Sequence, residues 1–314
     1  MAYANPHYLV ETDWLATQLQ EPNLRLVEVT AIVSSERTNR AKALCYDKQH
    51  IPGAVFLDVA GEDGGFTDAN GEFPLTWPTQ LQFEAAVGNL GIDNDSHVIL
   101  YASTVGQQLY SCAMWCTRAW WIMHHYGVRC SILNGALEKW LAEGRPATSR
   151  PGHYPKATFR ADPLWTRGIA YKQDVIDALR GDGTRCVVNA LPAQCHLGTS
   201  DVVYGPRRGH ITGSVNVPMP ELVDWETGVF AQAQDMEARF REAGVLSADS
   251  VITYCGGGGC ATTDGFALAL LGYTRVAMYD NSLFEWGTDA ALPMTQPDIG
   301  QADAQVAQRN NGQR

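Results

Sequence analysis

The sequence is short of charge. Only 18% of its 314 residues are Asp, Glu, Lys or Arg, and acids outnumber bases 34 to 23, for a net charge of −11. A surface of that sign repels phosphate backbones and anionic lipid, which argues against nucleic acid or membrane as a main partner. No apolar run reaches the length of a membrane-crossing helix, so none is expected. The opening residues lack a basic segment followed by an apolar one, so no secretory leader is expected there. The eight cysteines contain no C-x2-C pair, the spacing that zinc sites favour. Cys112 and Cys116 share a helical face, but Trp and apolar residues surround them, so neither a metal nor another cofactor is expected. Unpaired thiols fit a reducing compartment, and a cytoplasmic location is the expectation.

Two further absences concern the stretch VITYCGGGGCATTDGFALALLG at residues 251–272. No Lys follows its last glycine, so it is not a nucleotide-phosphate loop, which needs Lys and Ser/Thr there. No Arg stands between residues 256 and 265, so it lacks the clamp of a phosphatase-like loop. What is present reads as strand, tight loop and helix. Residues 251–254 are apolar and β-rich, Cys255 and four glycines follow, and an apolar helical pattern runs to Gly272. That order puts Cys255 at a strand end, facing the N–H groups and partial positive charge of a helix N-terminus. Successive glycines let the loop curl its N–H groups toward one point. Such surroundings favour a thiolate, so Cys255 is the candidate nucleophile.

The rest of the chain alternates strands with helices, and it does so twice. Strands are expected at 24–29, 98–101, 131–133 and 186–189. Helices are expected at 10–20, 81–90, 108–126, 136–143 and 172–179. Residues 146–163 hold four prolines and read as a linker. His210-Ile211-Thr212-Gly213-Ser214-Val215 repeats His50-Ile51-Pro52-Gly53-Ala54-Val55, and the 251–254 strand repeats Val98-Ile99-Leu100-Tyr101. Trp140 and Trp286 correspond as well. This is an internal duplication of one α/β unit, with a mainly parallel sheet covered on both faces. Ligands bind such sheets beyond the carboxyl ends of the strands, where Cys255 stands. The residue matching Cys255 in the first half is Ala102, so one half carries the chemistry and the other packs against it and walls the site. The polar tail at 297–314 is expected to be disordered.

These residues resemble the tandem-domain rhodanese family of sulfurtransferases. Tyr46-x-x-x-His50-Ile51-Pro52-Gly53-Ala54-x-x-Leu57 matches the family's N-terminal signature throughout. Val276-x-x-Tyr279-Asp280-Asn281-Ser282-Leu283-Phe284-Glu285-Trp286 is similar to its C-terminal signature, with Asn281 in place of Gly and Leu283 in place of Trp. The resemblance implies an α/β fold of two tandem rhodanese-like domains, an inactive one over 1–150 and a catalytic one over 151–296. It implies a persulfide on Cys255, held by the loop Gly256, Gly257, Gly258, Gly259, Cys260 and Ala261. The partners it implies are a small-molecule sulfur donor, thiosulfate or 3-mercaptopyruvate, and a cyanide or thiol acceptor.

The sequence departs from the family in its cations. Gly256 and Gly257 stand where thiosulfate-using members carry basic side chains. Leu191 and Cys195 stand where members usually place two arginines. Phe73 replaces a histidine often found in mercaptopyruvate-using members, while Asp58 fits an acidic position. Arg207 and Arg208 are the candidates to meet a donor's charge. His50 and His210 are read as turn-fixing rather than catalytic. Two other readings stand beside sulfur transfer: a non-enzymatic persulfide carrier or protein-binding module, and a redox-sensing thiol pair of Cys255 and Cys260.

Overall fold

A computed structural model describes residues 2–33, 38–61, 64–106, 112–162, 168–181 and 183–296. The tail at 297–314 and the first residues of the helix expected at 108–126 lie outside the described residues. The first half contains strands β1 (Leu9–Val10), β2 (Leu24–Glu28), β3 (Val55–Phe56), β4 (His97–Tyr101) and β5 (Arg129–Leu133). Its helices are α1 (Thr12–Gln18), α2 (Gln80–Asn89), α3 (Ala113–His125) and α4 (Leu137–Ala142). The second half contains β6 (Ile169–Ala170), β7 (Arg185–Asn189), β8 (His210–Ile211), β9 (Val215–Asn216), β10 (Ser250–Tyr254), β11 (Val276–Tyr279) and β12 (Met294–Thr295). Its helices are α5 (Lys172–Arg180), α6 (Ala193–His196), α7 (Ala233–Glu242), α8 (Cys260–Leu270) and α9 (Ser282–Trp286).

Each half builds one five-stranded parallel sheet. The orders β1-β5-β4-β2-β3 and β6-β11-β10-β7-β9 are the same topology twice. β12 and β8 form a separate antiparallel pair. The duplication extends to single hydrogen bonds. Tyr101 Oη accepts the N–H of Ile51 at 3.1 Å, and Tyr254 Oη accepts that of Ile211 at 3.1 Å. The indoles of Trp140 and Trp286, both fully buried, donate to the carbonyls of Pro146 and Pro293. In each half the Tyr ties a turn to the end of the central strand, and the Trp closes the last helix on the chain that follows it.

The proline-rich stretch after α4 lies along the first half. The N–H groups of Gly152, Ala157 and Asp162 reach the carbonyls of Ala54, Gly88 and Tyr126, and Phe159 is buried against Phe83. Prolines forbid continuous helix or sheet here, but the intervening N–H groups still find partners and hold the segment down.

The halves meet along α3 and α8. Helices with one apolar stripe lie on a surface, whereas helices apolar all round belong inside. Every residue of α8 is buried, and so is every residue of α3 except His125. Gly265 lets the two helices close, since a Cβ there would stand 2.7 Å from the Trp121 ring. Thr117 Oγ1 meets Thr262 Oγ1 and Thr263 Oγ1, each at 3.0 Å, and Trp120 packs edge-on against Phe266. Among the described residues no helix is long and apolar enough to cross a membrane.

Candidate active site

Cys255 follows β10 directly and precedes α8, and it is only 2% exposed. Its backbone is held from α9. Its N–H donates to Ser282 Oγ at 3.1 Å, and its carbonyl accepts the N–H of Leu283 at 3.1 Å. The carbonyl of Gly256 accepts the N–H of Phe284 at 2.9 Å. With these carbonyls tied to α9, the N–H groups of Gly257, Gly258 and Ala261 are turned the other way and donate toward the Cys255 sulfur. The Cys260 thiol donates to it as well.

These donors decide the charge on the sulfur. Burial alone would push the Cys255 thiol up. The Cys260 thiol and the N–H groups of Ala261, Gly257 and Gly258 outweigh burial and bring it down to about 6. At neutral pH the sulfur is therefore a thiolate, the form that acts as nucleophile. The opposite holds at Cys260, whose thiol is pushed well up because it donates to Cys255 and is buried. Its sulfur lies 3.6 Å from Met114 Sδ, on the first half's α3.

The glycines answer to specific neighbours. Gly258 has φ +79°, and a Cβ there would come within 2.7 Å of the Asp280 carbonyl. Cβ atoms at Gly256 and Gly257 would enter the rings of Tyr204 and Phe284, at 2.1 and 2.4 Å. The loop is thus bare because two aromatic rings lie on it.

Above the sulfur opens a cavity of about 250 Å³ between the halves. The second half supplies the loop, Leu191, Tyr204 and Phe284. The first half supplies Phe73 to Leu75, Met114 and Trp115. The first-half wall is fixed from both sides. Arg118, wholly buried, donates through Nη2 to the carbonyl of Leu75 at 2.7 Å, and the N–H of Trp77 donates to Asp280 Oδ2 at 2.8 Å. Leu75 itself has φ +63°, a left-handed conformation held by these ties. Burial pushes the Asp280 carboxyl up to about 6, against the N–H of Trp77 and the charge of Arg118.

The matching position in the first half is arranged otherwise. Ala102 accepts the N–H of Leu137 at 2.9 Å, as Cys255 accepts that of Leu283. There the Glu138 carboxylate takes up Ser103 Oγ at 2.6 Å and the N–H of Thr104 at 2.8 Å. That half fills its own anion cradle with a carboxylate.

Three residues expected near the substrate are placed elsewhere. Arg207 gives its guanidinium to the carbonyls of Gly287, Leu292, Trp286 and Asp289, between 2.6 and 3.0 Å. It staples the end of the second half, because four inward-pointing carbonyls there need a donor. Arg208 is directed to the carbonyl of Ser200. Asp58 Oδ1 accepts from Asn39 Nδ2 at 2.8 Å and from the N–H groups of Ala60 and Gly61, and it lines a separate cleft. None of the three lines the cavity above Cys255. His50 bridges the carbonyls of Tyr46 and Arg150, and His210 approaches that of His196, so both sit in turns. Ser282 and Asp280 stand inside the C-terminal signature, where the sequence pointed without assigning them a task. Nothing in the local sequence marked Tyr204.

A family described as the rhodanese-like domain matches residues 11–143 and 200–289. The chain belongs to the rhodanese family of sulfurtransferases. This rhodanese is 33% identical over 286 residues to the thiosulfate sulfurtransferase of Rattus norvegicus, covering 88% of this chain and 91% of that one. It is 31% identical over 289 residues to the 3-mercaptopyruvate sulfurtransferase of Escherichia coli, covering 91% and 97%. Among solved structures it is similar to SseA from Escherichia coli, described as having the rhodanese fold. The TM-score is 0.74 at 29% identity, over 88% of this chain and 98% of that one. Two rhodanese-like domains packed through α3 and α8 are therefore the architecture of this rhodanese, with a single cysteine loop opening between them.

Proposed function

We propose that this rhodanese moves a sulfane sulfur from a small donor to an acceptor through a persulfide on Cys255. The domain over 151–296 carries the chemistry, and the domain over 1–150 walls the pocket. The observation that carries this reading is the Cys255 thiolate in its ring of N–H donors at the cavity floor. With thiosulfate, the thiolate attacks the outer sulfur, and sulfite leaves with the electrons of the broken S–S bond. With 3-mercaptopyruvate the C–S bond breaks instead, and pyruvate leaves after its carbon takes a proton. The persulfide sulfur then carries the negative charge, which the same N–H donors stabilise as an oxyanion hole would. Charge-assisted hydrogen bonds are each worth about 1.5–3 kcal/mol, so three or four hold that charge at neutral pH. Cyanide or a thiolate takes the outer sulfur and returns the Cys255 thiolate.

A cyanide assay with thiosulfate, with 3-mercaptopyruvate and with no donor tests the reading. Donor-dependent thiocyanate over many turnovers is expected, with 3-mercaptopyruvate used better than thiosulfate because it brings one negative charge rather than two to a loop that carries no cation. A carrier without turnover is the second reading, favoured by the apolar lining of the cavity. It would give one sulfur released per chain and no more with either donor.

A further inference from the structure

We propose that the cavity above Cys255 is built for an uncharged aromatic thiol, which takes the persulfide sulfur as acceptor. The inference rests on the persulfide reading of Cys255 and adds the class of molecule that meets it. Its first support is where the rings lie. Tyr204 and Phe284 cover Gly256 and Gly257 so closely that no side chain can rise from the loop. Leu191, 1% exposed, continues the wall, and Phe73 and Trp115 face it from the first half. A cavity of about 150 Å³ lined by apolar groups holds a benzene ring. The 250 Å³ here leaves room for a ring with its thiol and one substituent.

The second support is charge. Among the described residues no Lys or Arg lines the cavity, and its charged lining groups are the Asp68 carboxylate and the Cys255 sulfur, both negative. That carboxylate is held below its usual range by the N–H of Asn70 and by Gln82, so it stays ionised. Arg118 lies behind the wall and does not line the cavity: Nη2 donates to the carbonyls of Phe66 and Leu75, Nε and Nη1 are buried without partners, and Asp280 and then Cys255 are its counter-charges. An anion entering the cavity, an anionic donor included, would lose part of its water with no cationic side chain on the lining to replace it. It would also meet the negative charges of Asp68 and the Cys255 sulfur, so a second negative group on an acceptor is a cost. An uncharged ring loses nothing of the kind and buries apolar surface. Thr67 and Tyr204 line the cavity, and their hydroxyls are buried without hydrogen-bond partners, so a small rotation of either would offer a neutral polar contact to one substituent.

The step balances. In Cys255–S–S⁻ + R–SH, the thiol proton passes to the outer persulfide sulfur, and the thiolate so formed bonds to that sulfur as its bond to Sγ breaks. The electron pair stays on Cys255 as thiolate, and the hydropersulfide R–S–SH departs with the proton.

The test loads the whole protein with inorganic tetrasulfide, removes the excess, and follows loss of the added sulfur by quenched intact mass. The acceptors are 4-methylbenzenethiol and 4-mercaptobenzenesulfonate, each rate divided by that thiol's rate with free cysteine persulfide. The thiol without the sulfonate is expected to be faster by about tenfold or more. Phe73→Arg, which sets a cation on the half-buried wall, is expected to remove most of that gap. Equal rates, or a faster sulfonate, in the wild type would overturn the inference while leaving sulfur transfer intact. If no sulfur loads, the transfer reading fails, and binding to Cys255→Ser still decides the pocket. Toluene is then expected to raise Tm and 4-toluenesulfonate to leave it unchanged, and the reverse would overturn the assignment.

Discussion

At Cys255 two opposing effects meet, and their balance can be titrated. Burial favours the neutral thiol, while the Cys260 thiol and three N–H groups favour the anion and bring it down to about 6. The thiolate thus exists above that pH and is lost below it. Iodoacetamide labelling of Cys255, followed by peptide mass, is expected to rise with pH through an inflection near 6 and then level off. In Cys260→Ala one donor is gone and burial is unchanged, so the inflection is expected to move upward. An inflection in the range of an ordinary thiol in the wild type, or no movement in the variant, would show that the cradle does not act on the sulfur. This residue was legible in the sequence, because strand, Cys, glycine run and helix are consecutive. The Cys260 hydrogen bond was not, because nothing in a linear spacing says which way a thiol at a helix start will point.

The loop as an element depends on backbone geometry more than on its side chains. Gly258 has φ +79° and also lies against the Asp280 carbonyl, whereas Gly244 has φ +77° with nothing near its missing Cβ. A left-handed non-glycine residue costs about 1–2 kcal/mol, so Gly244→Ala is expected to lose that much stability. Gly258→Ala is expected to lose more in urea unfolding, and to raise the Cys255 inflection because its N–H is displaced. Equal losses at the two positions would mean that the contact with Asp280 carries no weight. The glycines were visible in the sequence, but their cause was not. Tyr204 and Phe284 stand 52 and 28 positions from Gly256 along the chain, and only the fold lays their rings on the loop. The same limit explains the arginines. Arg207 and Arg208 are near the repeated His210 turn in sequence, yet the carbonyls that bind Arg207 come from α9 and beyond.

For the molecule as a whole, the duplication was written in the repeated turns and in the paired Trp residues, and the two sheets carry it through in strand order. The α3–α8 contact was legible only as a Trp-rich helix and an apolar helix, since a sequence does not say what an all-round apolar helix packs against. The duplication also leaves a mark on pH stability. Glu28 ends β2 where Asn189 ends β7, and burial pushes its carboxyl up to about 7, against hydrogen bonds from Thr30 and Tyr101. Between its ordinary value of 4.5 and about 7, the folded chain keeps a proton that the unfolded chain releases. Its contribution to stability is therefore full below 4.5 and lost as pH rises through 7. Relative to wild type, Glu28→Gln is expected to gain about 3 kcal/mol between pH 4.5 and pH 8, and parallel urea curves would rule that out. The central claim concerns which of the eight cysteines holds the moving sulfur. Incubation with a sulfur donor followed by intact mass measures it directly. The wild type is expected to gain one cyanide-labile sulfur atom and Cys255→Ser none. A cyanide-labile sulfur that persists in Cys255→Ser would contradict it.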